Sequence, residues 1–168
     1  FVKIYNSVHV SSYNTLTDDD GASNDYLGRS VAMSQDGTYI VAGAPRDDDA
    51  GTDKGSVFVW KLSGDSYVEI DKLNTNNVTS GPTDHGNLGT SVAISANGKY
   101  IVAGAPNNDF YATDRGAVLV WELIDGSYNY HSRLHGPLDA AWRLGSSVAI
   151  SADGNTVIGA ALGGGSDD

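Results

Sequence analysis

The 168-residue chain has no cysteine, which excludes disulfides and thiolate metal sites. That absence leaves the compartment open, because many secreted proteins lack disulfides. Glutamate is nearly missing as well: Glu69 and Glu122 are the only two, so 19 of the 21 acids are aspartate. Aspartate favours turns and metal loops over helices. Lysine and arginine together number 10, giving a formal net charge of −11. Such a surface repels phosphate backbones and anionic membranes, so nucleic acid is excluded as a partner class. No apolar run approaches the ~20 residues of a membrane span, and no membrane insertion is expected in this segment. Sustained helical periodicity is absent too. The four histidines, His9, His85, His131 and His135, form no His-Glu-x-x-His motif. There is no nucleophile elbow, and the Gly-rich stretch 163–168 lacks the lysine and helix of a phosphate loop. The chain is therefore expected not to be an enzyme.

What is present is a repeat. Shifting the chain by 61 residues aligns 27–73 with 88–134 without a gap, with 25 identities in 47 positions. The shared skeleton is Leu-Gly-x-Ser-Val-Ala, a glycine turn, Tyr-Ile-Val-Ala-Gly-Ala-Pro, Thr-Asp-Lys/Arg-Gly, Val-x-Val-Trp and Ser-Tyr. A third, divergent copy begins at Leu144. Each unit reads as four short strands, A to D. Asp36-Gly37, Asn97-Gly98 and Asp153-Gly154 are two-residue hairpin signals and predict type I′ turns between strands A and B. Pro45 removes a donor and ends strand B. Val57 to Trp60 is strand C, Gly64-Asp65 turns, and Tyr67 to Leu73 is strand D.

Four antiparallel strands repeated every ~60 residues imply β-propeller blades. The expected fold is all-β: blades of four antiparallel strands, about three blades' worth of a larger propeller, with seven blades the expected total. Residues 1–26 would hold the C and D strands of a preceding blade with its connection. A complete blade and connection would fill 27–87, and another 88–143. The A and B strands of a following blade would fill 144–168. Small residues such as Ala32, Ala42, Gly43 and Ala44 suit the crowded axis, and Trp60 and Trp121 suit packing between blades further out. The missing blades would come from the same or neighbouring chains.

The stretch "LGRSVAMSQDGTYIVAGAP…GSVFVW" resembles the FG-GAP repeat, the blade unit of integrin α-subunit propellers, and most of all its "SVAISADG" variants in secreted microbial and algal proteins. The resemblance covers essentially the whole chain. Leu27-Gly28, Leu88-Gly89 and Leu144-Gly145 stand where that family has Phe-Gly. Gly43-Ala44-Pro45 and Gly104-Ala105-Pro106 are its Gly-Ala-Pro element, and the third copy departs from it with Gly159-Ala160-Ala161-Leu162. WD-repeats are the second family considered, but their period is near 40 residues. The resemblance implies an extracellular or cell-surface location and a ligand face formed by the B–C and D–A loops. It does not carry over the integrin calcium loop, because the A–B hairpins here offer at most one carboxylate, and calcium takes about six to eight oxygens.

Fourteen of the 19 aspartates fall in the B–C and D–A loops, all on one face. Loops of that kind are where propellers bind partners. Asp48, Asp109, Phe110, Tyr111 and Trp142 are the ligand-face candidates, for a protein or glycan ligand. Asp18, Asp20 and Asp25, together with Asp47, Asp49 and Asp53, are weak candidates for a hard cation such as calcium, and no other cofactor is expected. Asp53 and Asp114 also read as turn formers at the entry to strand C. Asn77, in Asn77-Val78-Thr79, is a glycosylation acceptor if the chain is secreted. The expected function is a non-catalytic extracellular module for adhesion, protein–protein assembly or surface structure. The alternatives are a lectin-like propeller and an accessory propeller of a larger secreted enzyme.

Overall fold

The computed structural model describes residues 1–5, 13–17, 22, 24–76, 86–109, 115–136 and 142–163. Among them every regular element is a strand. The order is β1 (Val2–Tyr5), β2 (Tyr13–Leu16), β3 (Ser30–Met33), β4 (Tyr39–Ala44), β5 (Ser56–Ser63), β6 (Ser66–Leu73), β7 (Ser91–Ile94), β8 (Tyr100–Ala105), β9 (Ala117–Ile124), β10 (Ser127–His135), β11 (Leu144–Ile150) and β12 (Val157–Ala161). They form two four-stranded sheets, β3-β4-β5-β6 and β7-β8-β9-β10, flanked by the two-stranded sheets β1-β2 and β11-β12. Within each sheet the pairings are antiparallel between sequence neighbours, and single parallel bridges, Gly55 to Leu88 and Gly116 to Leu144, join one unit to the next. This is a partial β-propeller whose sheets stack in chain order.

Strand alternation explains the stacking. Ile40, Ala42, Phe58 and Trp60 point to one side of the first full sheet and close on Val2 and Leu16. Val41, Val57, Val59 and Leu73 point to the other side. They meet Val92, Ile101, Leu119, Trp121 and Tyr128 of the second full sheet. That sheet's opposite side, Val102, Val118 and Val120, packs on Val148, Ile150 and Val157. Strands β4, β5, β8 and β9 are apolar on both sides because each is sandwiched between sheets. The innermost strands β3, β7 and β11 pack on one another in turn. Trp60 and Trp121, 2 % and 3 % exposed, fill the widening gap further out. The far side of β11-β12 is open, with Ile158 62 % exposed.

The junctions between sheets are backbone against backbone. A Cβ built on Gly43 would lie 1.9 Å from the carbonyl oxygen of Gly89, and one on Gly104 would lie 1.8 Å from that of Gly145. The Gly of each Leu-Gly corner therefore inserts against the Gly of the Gly-Ala-Pro element in the sheet before it. Two serines reinforce the contact. The Val92 amide donates to Ser30 Oγ at 3.0 Å, and Ser91 Oγ donates to the Gly145 carbonyl at 2.8 Å. The Thr-Asp-Lys/Arg-Gly element seats the same corner from the other side: Leu88 N donates to Lys54 O at 2.9 Å and Leu144 N to Arg115 O at 3.1 Å.

The A–B hairpins differ from the expected type I′ turns. Positive φ is confined to Gly37, Gly98 and Gly154, while the preceding Asp or Asn stays in the ordinary region. The reason is the serine two residues upstream. Ser34 Oγ donates to Asp36 at 2.7 Å and accepts from the Tyr39 amide at 2.9 Å, and Asp36 also accepts from the Thr38 amide at 2.9 Å. Ser95–Asn97 and Ser151–Asp153 repeat the arrangement. These side-chain bonds take the place of a tighter ladder. Type I′ backbone geometry does occur at Asp125-Gly126, with φ of 52° and 91°.

Candidate functional site

Pro45 and Pro106 end β4 and β8 on the same face as the Leu-Gly corners, so B–C and D–A connections share one end of the sheets. Each corner is preceded by a left-handed non-glycine residue: Tyr26, Asn87 and Arg143, at φ of 57°, 49° and 51°. That recurrence belongs to the corner's shape and not to one ligand.

The B–C loop of the first full sheet is braced by its own acids. Asp47 is 1 % exposed. Its Oδ1 accepts from the Asp49 amide and from Ser56 Oγ, both at 3.1 Å. The Lys72 ammonium lies 2.9 Å from its Oδ2 and also pairs with Asp49. Asp48 accepts from the Asp53 amide at 2.6 Å, and Asp53 adopts a left-handed φ of 48°. The turn-forming reading of Asp53 fits this geometry, and Asp114 lies outside the described residues. Asp25 is buried and accepts from the Ala22 amide at 2.7 Å. Burial pushes its carboxyl above the ordinary range; the amide bond opposes this, and the charges of Asp47 and Asp48 add to it. The acids near 25 and those near 47 are therefore brought together across the face. Among the described residues no three His, Asp or Glu side chains gather around a common point suited to a metal ion.

The remaining candidates divide in two. Asp48 is exposed, and Asp109 and Trp142 are half-buried. The indole nitrogen of Trp142 is turned inward, leaving its ring only partly presented to a ligand. Asp18, Asp20, Asn77, Phe110 and Tyr111 lie outside the described residues.

Two basic contributions were not visible as site features in the sequence. Arg115, from the second Thr-Asp-Arg-Gly, is 2 % exposed and donates to the Gly136 carbonyl, with His135 Nδ1 at 3.3 Å. It ties the B–C loop of its blade to the start of the connection that leaves β10. Arg46, directly after Pro45, is exposed and lays its guanidinium 4.8 Å over the Tyr26 ring. At the opposite, outer side of the same junction, Asp71 on β6 accepts from the Tyr128 amide at 2.8 Å. Desolvation raises the Asp71 carboxyl above its ordinary value.

Four-stranded antiparallel sheets stacked through glycine corners define a β-propeller blade protein. A family model described as the FG-GAP repeat matches residues 11–60. Within that stretch stand Leu27-Gly28 and Gly43-Ala44-Pro45, and it is Gly43 and Gly104 that touch the Leu88-Gly89 and Leu144-Gly145 corners at the two junctions made by β7–β10. No curated protein matches the chain. Among solved structures, a Bacteroides uniformis protein named as a candidate 6-phosphogluconolactonase aligns at 12 % identity with a TM-score of 0.49. The alignment covers 77 % of this chain and 31 % of that one, so the chain spans about a third of that protein's length.

Proposed function

We propose that the chain is a non-catalytic, integrin-like propeller module of an extracellular or cell-surface protein. Its acidic loop face would contact a protein or glycan in adhesion, assembly or surface structure. One asymmetry supports this reading. The repeated motifs are consumed by hairpins and sheet junctions, while 14 of 19 aspartates fall by sequence in the B–C and D–A connections, Asp25, Asp47, Asp48, Asp49, Asp53 and Asp109 among the described residues. Extracellular placement follows the habit of the repeat family. Further blades, from the same or neighbouring chains, would complete the ring. Calcium would serve as a bridge between this face and an anionic ligand and not as a resident cofactor, since Asp47 is already neutralised by Lys72.

The test uses chain-coated beads on surfaces of collagen, chitin and alginate, with and without calcium. Attachment to at least one surface is expected. It should be lost when Asp48 and Asp109 on the loop face become lysine, and kept when Asp65 and Asp125 on the turn face do. Attachment that both double variants leave intact would sink the proposal. So would turnover of chromogenic ester or glycoside substrates by the purified chain.

A further inference from the structure

At the loop-face end of the junction between the two full sheets lies a concavity of about 310 Å³, lined by Tyr26, Arg29, Arg46, Asn87, Thr90 and Asn107 among others. It sits in a chain of net charge −11, yet its charged side chains are both arginines. Among the described residues neither arginine forms an ion pair. The acceptors around it are largely spent within the protein. Asn87 Nδ2 donates to the Pro45 carbonyl at 2.8 Å, which leaves that oxygen occupied. Asn107 Nδ2 donates to Asn87 Oδ1 at 2.7 Å, and Thr90 Oγ1 donates to the Asn87 carbonyl at 2.7 Å. What the pocket offers outward is mainly donors, five N–H groups on each guanidinium. Arg46 is held in place by the Tyr26 ring, so part of its ordering entropy is already spent.

The two neighbouring units make the same point by contrast. The scaffold positions around this pocket are identical in both: Leu-Gly, Ser, and Gly-Ala-Pro. The lining positions are not. Tyr26, Arg29 and Arg46 are Asn87, Thr90 and Asn107 one unit later. The junction between β7–β10 and β11-β12 therefore lacks this pair and carries a single arginine, Arg143, at the position of Asn87. Two arginines lining one donor-rich hollow offer the planar fork of N–H groups that suits the two oxygens of a carboxylate.

We propose that this hollow is a carboxylate-binding site, specific to the junction of the two full sheets, with Arg29 and Arg46 as the recognition residues. The ligand carboxylate comes either from a free organic acid or from an acidic side chain of a partner's loop. The site does not depend on the acidic face being an adhesive surface. It is one basic socket set into an acidic face.

The test is an amide NMR titration of the whole chain at constant ionic strength. One arm uses malonate and the other an end-capped aspartate dipeptide amide, with choline chloride as the ionic control. Saturable shifts at the Asn87, Thr90 and Asn107 signals are expected with at least one carboxylate, with a Kd of ~1 mM or tighter. Binding by malonate alone assigns a free acid, and binding by the dipeptide assigns a side-chain ligand. The double variant Arg29→Gln/Arg46→Gln should weaken binding by about tenfold or more, with an unchanged melting temperature. R46K should bind in between, since a lysine cannot clamp both oxygens. No saturable shift up to ~20 mM of either probe, or equal affinity in the double variant, overturns the proposal.

Discussion

Replacing Gly43 with alanine tests the junction directly. Gly43 has no positive φ, so alanine costs nothing in backbone conformation there. The whole penalty comes from the added methyl, which would meet the Gly89 carbonyl oxygen at 1.9 Å and its carbon at 2.6 Å. Such contacts do not fall below 3.0 Å, so the two full sheets must separate by more than 1 Å at this point. Both sides are backbone within paired strands or corners and cannot step aside. A gap of about 0.5–1 Å already forfeits a quarter to a half of the dispersion energy of the atoms lining it. The lining here is the apolar cluster of Val41, Val57, Leu73, Val92, Ile101 and Trp121. Overpacking ordinarily costs about 1–3 kcal/mol, and a backbone-on-backbone clash belongs at or above the upper end, ~3 kcal/mol. For a chain of this size that lowers the melting temperature by roughly 6–12 °C. Differential scanning calorimetry and urea unfolding measure it, with an unchanged urea slope showing that the effect is on stability alone. Gly64→Ala is the control. Gly64 has φ of 62° and nothing within 4 Å of an added methyl, so only conformational strain of ~1 kcal/mol is expected. If Gly43→Ala costs no more than Gly64→Ala, the glycine contact is not what sets the distance between sheets.

Two further outcomes are expected from the loops and hairpins. Asp36 is held down to about 2 by the Thr38 amide first, then by the Ser34 and Thr38 hydroxyls. A depressed folded-state value means that this stabilisation is complete above the ordinary 3.8 and is lost as pH falls through about 2. Carboxyl-carbon NMR should place the Asp36 midpoint near 2, and Asp36→Asn should remove the acid sensitivity of the first hairpin, as Asn97 already does in the second; a midpoint at 3.8 would refute the bonding scheme. Lys72→Met keeps the side-chain stem but strips the counter-charge from Asp47, whose side chain is 2 % exposed. The expected loss is about 3 kcal/mol, most of it recovered by adding Asp47→Asn; chemical denaturation of the single and double variants decides it.

Much of this fold is legible because its signals are local. The hairpin glycines, the Asp125-Gly126 turn and the apolar runs of β4, β5, β8 and β9 can be read within about ten residues. The 61-residue shift then assigns them to blades. The A–B turn departs from expectation because Asn/Asp-Gly alone suggests a two-residue loop, whereas the decisive atom is the Ser34 hydroxyl upstream. The acidic loops are harder to read. Asp47 looks like a ligand among neighbouring acids, but it is paired by Lys72, 25 residues away on β6, and only the register of that strand brings the two together. Arg29 and Arg46 are also far apart in sequence and line one hollow only because a corner and a strand end share one face. The contact between Leu-Gly and Gly-Ala-Pro crosses from one unit to the next, so no pattern within a single repeat contains it.

The glycine contact also bears on how a ring of such sheets curves. In the last sheet Ser147 pairs with Ala160, as Ser30 pairs with Gly43 and Ser91 with Gly104. A methyl group thus occupies the slot into which a following carbonyl would slide. The angular step of a propeller depends on how much closer its blades stand at the hub than at the rim. Any blade seated on β11-β12 must stand further off at the hub, with a smaller tilt than the two junctions before it. One methyl per unit is enough to tune the step, and with it the number of blades that a full turn can hold.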